Sequence, residues 1–247
     1  MRTLRFARIK GNMLPYYCPC CDAHLNDFVP GKYVNKPEVY DITRYVNINQ
    51  DVVCPVCSSL PRHRILVAWL DENKELIEGK RILHFAQEHS VQLWMERTDI
   101  HATAADLLRP ADLQINIEET GLESESYDII ICNHVLEHVN DFRKALKEMY
   151  RILTPGGFFI CSFPMDPKVE LLDEDPSINT DEERKHRFGQ INHNRVFGMK
   201  ANEFLKEAGF SVETINGKDY PDRILPVIGP ADYDINMLFC CMKERCF

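Results

Sequence analysis

The chain of 247 residues predicts an α/β fold, a mostly parallel, doubly wound sheet preceded by a small N-terminal cysteine module. Three observations carry this reading. Strand-like and helix-like segments alternate from Lys80 onward, as in consecutive βα units. Two of the strand-like runs, DIIICN (128–133) and GFFICSF (157–163), are almost wholly apolar, as strands covered on both faces must be. Upstream stand two C-x-x-C pairs, Cys18/Cys21 and Cys54/Cys57.

Composition narrows the class. A hydrophobic share of 45% with 27% charged residues suits a globular protein with a real core. The net charge of −9 argues against a general nucleic-acid binder, which carries a basic footprint. Charge is unevenly spread, with nine basic against five acidic residues over 1–70, and 20 against 33 beyond. Arg2, Arg5, Arg8 and Lys10 read as a solvated arm. No run approaches the ~20 apolar residues of a membrane span. Pro15 and Cys18 interrupt the start before a signal-peptide apolar core could form. The expectation is a cytoplasmic protein whose ten cysteines stay reduced.

Residues 1–60 form the predicted module. Each C-x-x-C turn brings two thiolates to one metal, and two such turns supply the tetrahedral set of a closed, structural zinc site. Cys18, Cys21, Cys54 and Cys57 are the expected ligands of this zinc-ribbon-like unit, with Cys20 a fifth thiol inside the first knuckle. The β-like VYDITRYVNI falls in the long gap between the knuckles. Residues 61–79 follow as a linker helix, with Pro61 at its start and Ile65, Leu66, Trp69, Leu70 and Leu76 at helical spacing.

Residues 80–247 form the main domain. In order come RILHFA (strand), VQLWMER (helix), HATAAD (strand), DLQINI (short strand), DIIICN (strand) and DFRKALKEMYRIL (helix). GFFICSF (strand), KANEFLKEAG (helix), FSVETI (strand) and INMLFCCMK (strand) complete the series. The last two strands have no convincing helix between them, which predicts an antiparallel end to the sheet. Open α/β sheets bind ligands beyond the carboxyl ends of their strands. The polar groups that close successive strands therefore mark a nucleoside-type crevice.

The block YDIIICNHVLEHVNDFRKALKEMYRILTPGGFFICSFP resembles the fourth strand, helix and fifth strand of class I S-adenosylmethionine-dependent methyltransferases, and KANEFLKEAGFSVETI resembles their late helix and sixth strand. The resemblance implies a Rossmann-like, seven-stranded methyltransferase sheet over about 80–247. A bacterial subset looks similar at the N-terminus too, with two C-P-x-C knuckles, an R-H-R helix and a first strand ending H-F-A. One departure stands out. The glycine-rich loop usual after the first strand is replaced by HFAQEHS, so Phe85, Ala86 and Glu88 occupy the cofactor loop. Ala86 fits such a turn only with a negative φ; either the loop takes a different path, or Glu88 itself contacts the cofactor, at its amino group. Asp106 is placed to accept hydrogen bonds from the ribose hydroxyls. By the resemblance, Asn116 faces the adenine amino group, Ile117 offers its backbone N–H to the ring, and Asn133 and His134 lie near the methionine moiety.

The insertion 164–198 is the expected acceptor-facing segment. It carries His186, Arg187, His193 and Arg195. Histidine has the unperturbed pKa of a general base near neutrality, so His193, His186 and the strand-end His134 are the candidate bases. Arg195 is the candidate holder of an anionic group on the acceptor. The functional expectation is methyl transfer to a small-molecule or sugar/glycan acceptor at a hydroxyl. The alternative is an RNA methyltransferase that grips nucleic acid with its zinc module and basic arm, and a scaffold with a disused crevice is the non-enzymatic reading. The acidic main domain favours the first.

Overall fold

The computed structural model describes residues 14–30, 38–39, 51–224 and 237–245. Most of the expected strand 39–48 lies outside them.

The cysteine module consists of two short antiparallel pairs. β1 (Tyr16–Cys18) pairs with β2 (Ala23–Leu25) across the first knuckle, and β3 (Val29–Pro30) pairs with β4 (Asp51–Val53) ahead of the second. In each knuckle the residue after the last cysteine is left-handed, Asp22 at φ 61 and Ser58 at φ 60. The two turns thus repeat one backbone shape.

α1 (Pro61–Glu72) follows directly, with Pro61 at its first turn and α2 (Lys74–Ile77) continuing it. It is no linker. Pro61 and every residue from His63 to Leu70 are buried. Arg64 is wholly buried and reaches back to the module. Its Nε donates to the Ile224 carbonyl at 2.7 Å, one Nη to Ser59 O at 2.8 Å, and its guanidinium lies 4.1 Å over the Phe28 ring. The module and the first face of the sheet share one core, in which Cys18, Leu25 and Phe28 join Ile65, Trp94 and Ile129.

The main sheet is built from β5 (Ile82–Phe85), β6 (Thr103–Asp106), β7 (Leu113–Gln114), β8 (Tyr127–Asn133), β9 (Leu153–Ser162), β12 (Ser211–Asn216) and β13 (Met237–Met242), in the order β12-β13-β9-β8-β5-β6-β7. Every pairing from β9 to β7 is parallel, and β13 is antiparallel to both neighbours. The seven expected strands and the antiparallel end are therefore present. The apolar run of β8 explains its central place. Ile129 and Ile131 face the core shared with α1 and α3 (His89–Thr98), while Ile130 and Cys132 face the core of α4 (Phe142–Ile152) and α6 (Asn202–Glu207). α4 forms because Phe142, Ala145, Leu146, Met149 and Ile152 make one buried stripe and Asp141 caps its start through Lys144 N.

One boundary differs from expectation. β9 begins at Leu153, ahead of the expected GFFICSF, since Leu153 already pairs with Tyr127. Gly157 permits this, because a Cβ there would stand 2.6 Å from the Asp128 carbonyl oxygen. The insertion also has structure of its own. β10 (Leu172–Glu174) pairs antiparallel with β11 (Arg195–Phe197), enclosing α5 (Asp181–Phe188). No helix among the described residues is long and apolar enough to cross a membrane.

Arg64→Met removes a buried cation, takes the donor from the Ile224 carbonyl and leaves Ser59 O with the Cys54 N–H alone. A loss of about 2–3 kcal/mol in urea unfolding is expected; an unchanged midpoint would show that Arg64 does not hold the module.

Candidate functional site

The parallel strands end on one rim, and the chain delivers polar residues to it in sequence. After β5 the backbone turns at Ala86, whose φ is +49. The expectation of a negative φ fails there. Ala86 takes the left-handed conformation that glycine usually fills, at a cost of roughly 1–2 kcal/mol, and its N–H is held by Ala105 O at 2.8 Å. Glu88 then opens α3.

Glu88 sits in a charged cluster. Its carboxylate meets His84 Nε2 at 2.9 Å and His63 Nε2 at 3.7 Å. Burial opposes its ionisation, but the His84 hydrogen bond and the charges of His63, His84 and Arg62 outweigh that and hold its carboxyl at about 2. His63 moves the other way. Burial first, and the adjacent Arg62 second, bring it down to about 3, so it is neutral at pH 7. Its Nδ1 receives the Leu60 N–H at 3.1 Å and lies 2.9 Å from Ser90 Oγ. A cleft of about 360 Å³ opens here, lined by Val56, Cys57, Ser58, His63, Glu88 and Ser90. The second knuckle is thus one wall of the space beside the β5–α3 loop.

The other strand ends are partly committed to turns. Asp106 Oδ1 accepts from Leu108 N and Arg109 N at 2.8 and 2.9 Å, which leaves Oδ2 for a ligand. Asn116 Oδ1 accepts from Glu118 N at 2.9 Å, and Ile117 is buried beside it. Phe85 is buried under the loop. Asn133 is buried, accepts from Ser162 Oγ at 2.9 Å, and keeps an amide nitrogen with no partner among the described residues. His134 follows at φ +51, its N–H on Ser162 O. Burial, then Arg62, lower its pKa, with Glu137 offsetting part of the shift.

The insertion residues divide. His193 is buried and packs edge-on against His138, with ring centres 4.8 Å apart. Burial lowers its pKa to about 4, so it is neutral and only weakly basic at pH 7. His186 lies exposed on α5, apart from this group. Arg187 binds Asp173 and Asp175. Arg195 does not reach for a ligand. It is 2% exposed, and its guanidinium donates to Glu174 Oε1, Leu136 O, Val139 O and Asn140 O at 2.6–2.9 Å. The expected anion holder is instead the clamp of the β8–α4 loop. Asn194 adds to it, donating to the His138 and Val139 carbonyls.

Sequence reading missed Glu137 and His138, which share the HVLEHV segment with His134. Glu137 is 1% exposed and faces His134, His138 and His193. The signal was an acid flanked by histidines directly after a strand end.

In the cysteine module the four expected thiols converge. Cys18, Cys21, Cys54 and Cys57 place their sulfurs within 4.8 Å of one another, with Cys18–Cys57 at 3.6 Å and Cys21–Cys54 at 3.8 Å. Four sulfurs at ~2.3 Å from a tetrahedral zinc stand about 3.8 Å apart. Cys20 is buried but is not one of the four.

Residues 83–161, from β5 to β9, match the methyltransferase domain family. The match begins and ends with the strands that form the polar rim. Relatives are distant. A 41-residue stretch is 49% identical to the arsenite methyltransferase of Mus musculus, but that covers 17% of this chain and 11% of the relative. The ubiquinone biosynthesis O-methyltransferase of Leptothrix cholodnii is 23% identical over 170 residues, 67% of this chain and 66% of the enzyme. Among solved structures, the Burkholderia thailandensis 1,6-didemethyltoxoflavin-N1-methyltransferase, bound to 1,6-didemethyltoxoflavin and S-adenosylhomocysteine, superposes with a TM-score of 0.50 at 15% identity, covering 75% of this chain and 77% of that one. The likeness shows a shared methyltransferase fold.

The titrations of His63 and Glu88 set a pH dependence. His63 is held neutral when folded, so the unfolded chain binds the extra proton below about 6.5 and stability falls as pH drops from there towards 3. Glu88, depressed to about 2, adds a loss below about 4.5. Chemical denaturation from pH 8 to 4 should show a plateau and then a decline beginning near 6.5, and His63→Gln should flatten the decline between 6.5 and 4.5. An unaltered profile in that variant would place the sensitivity elsewhere.

Proposed function

We propose that the protein is an S-adenosylmethionine-dependent methyltransferase acting on a hydroxyl of a small-molecule or sugar/glycan acceptor. The observation that carries this is the convergence of Ala86–Glu88, Asp106, Asn116–Ile117 and Asn133–His134 on the carboxyl rim of the parallel strands. The rim fits the cofactor in its chemistry. Asp106 Oδ2 suits a ribose hydroxyl, the Glu88 carboxylate suits an ammonium, and the unpartnered amide nitrogen of buried Asn133 suits an acceptor group on the ligand. The bound cofactor supplies an electrophilic methyl group on a sulfonium, and the protein's task is to align the acceptor with it and exclude water.

The chain's own residues divide that work. The left-handed turn at Ala86 brings backbone close to the rim, and Asn133, fixed by Ser162, lines its centre. His134, kept neutral by burial, can receive the acceptor proton. Nucleic acid is the second reading. Against it, the described rim sets the carboxylates of Glu88 and Asp106 beside the single Arg62 cation, where a phosphate chain would ask for several.

The four thiolates are proposed to hold a structural zinc, because their spacing is that of a tetrahedral site and all four positions are filled, leaving none open for chemistry. The buried Arg64 would offset part of the charge of four thiolates around one divalent ion.

Two outcomes test these readings. Calorimetry should detect S-adenosylmethionine binding, and Asp106→Asn, which keeps an oxygen for the turn but removes the charge, should weaken it by about 1.5–3 kcal/mol; equal affinity in the variant would move the ribose site elsewhere. Elemental analysis should find zinc in the purified chain. Cys18→Ser or Cys54→Ser should release the ion and loosen the module, since binding energy there is also folding energy, while Cys20→Ser should retain it.

A further inference from the structure

Glu137 is a buried carboxylate with neither oxygen hydrogen-bonded to any described group, although its side chain is only 1% exposed. Burying an ion without compensation is costly. What surrounds it is an array of imidazoles. His134 Nδ1 stands 3.4 Å and His138 Nε2 3.8 Å from Glu137 Oε1. His193 completes the group, for one ligand atom from each of Glu137, His138 and His193 lies within 4.8 Å of the others.

The second nitrogens of the two rings decide what the cluster can hold. His138 Nδ1 lies 2.9 Å from the Asn192 carbonyl oxygen and His193 Nδ1 3.3 Å from that of Phe188. A carbonyl only accepts, so each Nδ1 carries the hydrogen. In a neutral ring this leaves Nε2 with a lone pair. Along His138 Nε2–Glu137, one acceptor then faces another, an arrangement that a cation between them resolves. Backbone carbonyls on the distal nitrogen are also what orients the imidazole ligands of metal ions. The backbone is held as well, through Asn194 N on Glu137 O and the Arg195 clamp on Leu136, Val139 and Asn140.

We propose that Glu137, His138 and His193 form a second metal centre, distinct from the four thiolates, which takes a divalent transition-metal ion of the zinc class. Two imidazoles and one carboxylate suit zinc and its neighbours rather than magnesium or calcium, which prefer oxygen donors throughout. With ligand bonds of about 2.0–2.2 Å, tetrahedral donors stand roughly 3.4 Å apart. The observed spacing, within 4.8 Å, needs a contraction of roughly 1.4 Å at most. Three protein ligands leave a position open, as in zinc sites that bind a water or a substrate oxygen. Glu137 lies four residues beyond Asn133, so the open position takes an oxygen donor of the acceptor, a hydroxyl above all; this last role rests on the methyltransferase reading.

The test is a metal count on the purified chain, loaded with zinc and desalted. Two ions per chain are expected, falling to one in both Glu137→Gln and His138→Gln. Cobalt substitution separates the centres, because the thiolate site gives intense sulfur-to-metal absorption and the second site only weak visible bands. One ion in the wild type, with thiolate bands alone, would overturn the proposal whether or not the variants fold. Two ions in the wild type and still two in folded variants would overturn it too. S-adenosylmethionine calorimetry on the wild type is read separately, so that absent cofactor binding removes the methyltransferase reading and leaves the metal count to decide the site.

Discussion

The guanidinium of Arg195 is the constraint on which the rim of the sheet depends. A buried cation must be met by acceptors on all sides, and here they come from two parts of the chain. Glu174 lies directly across the β10–β11 pair, while Leu136, Val139 and Asn140 belong to the loop between β8 and α4. One side chain therefore fixes the insertion and the central loop to each other. It also sets the backbone on either side of Glu137 and His138. The Phe142 ring lies under the same guanidinium at 5.2 Å, so the start of α4 shares the anchor.

The loop after β5 shows how a left-handed turn is held without a glycine. The turn still needs a left-handed residue, and Ala86 supplies it under strain. Support comes from beneath, where His84 on the strand, Glu88 at the helix start and His63 on α1 lock together. Fixed charge and hydrogen bonding take over the role that backbone freedom has elsewhere. The helix carrying His63 packs with Arg64 against the cysteines, so the loop and the module are braced by adjacent residues of one helix turn.

Much of this was legible in the sequence. The apolar runs of β8 and β9 gave the parallel core, and the two C-x-x-C turns gave a thiolate set that the folded chain brings together. The α4 stripe was readable from Phe142 to Ile152. Other features escaped for physical reasons. Pattern shows that Arg195 is charged but not that four acceptors wait for it in the interior, so it read as a ligand-binding residue. The φ of Ala86 is imposed by its pairing with Ala105, not by its own preference. α1 read as a linker because it stands between module and sheet, while Arg64 is buried by a partner far along the chain, Ile224. Glu137 was hidden for the same reason, since His193, more than fifty residues away, completes its surroundings.

One backbone contact links the two ends of this layout. The Ile191 N–H in the insertion donates to the Val39 carbonyl, in the stretch of chain between the two knuckles. The N-terminal module therefore adjoins the segment that carries His193, in addition to sharing a core with α1. A module joined at both places is not an interchangeable attachment. Transplanting the sheet onto another N-terminal unit would remove one tether of the insertion and leave Arg64 without its Ser59 acceptor. Truncation or grafting at the junction would therefore disturb both parts.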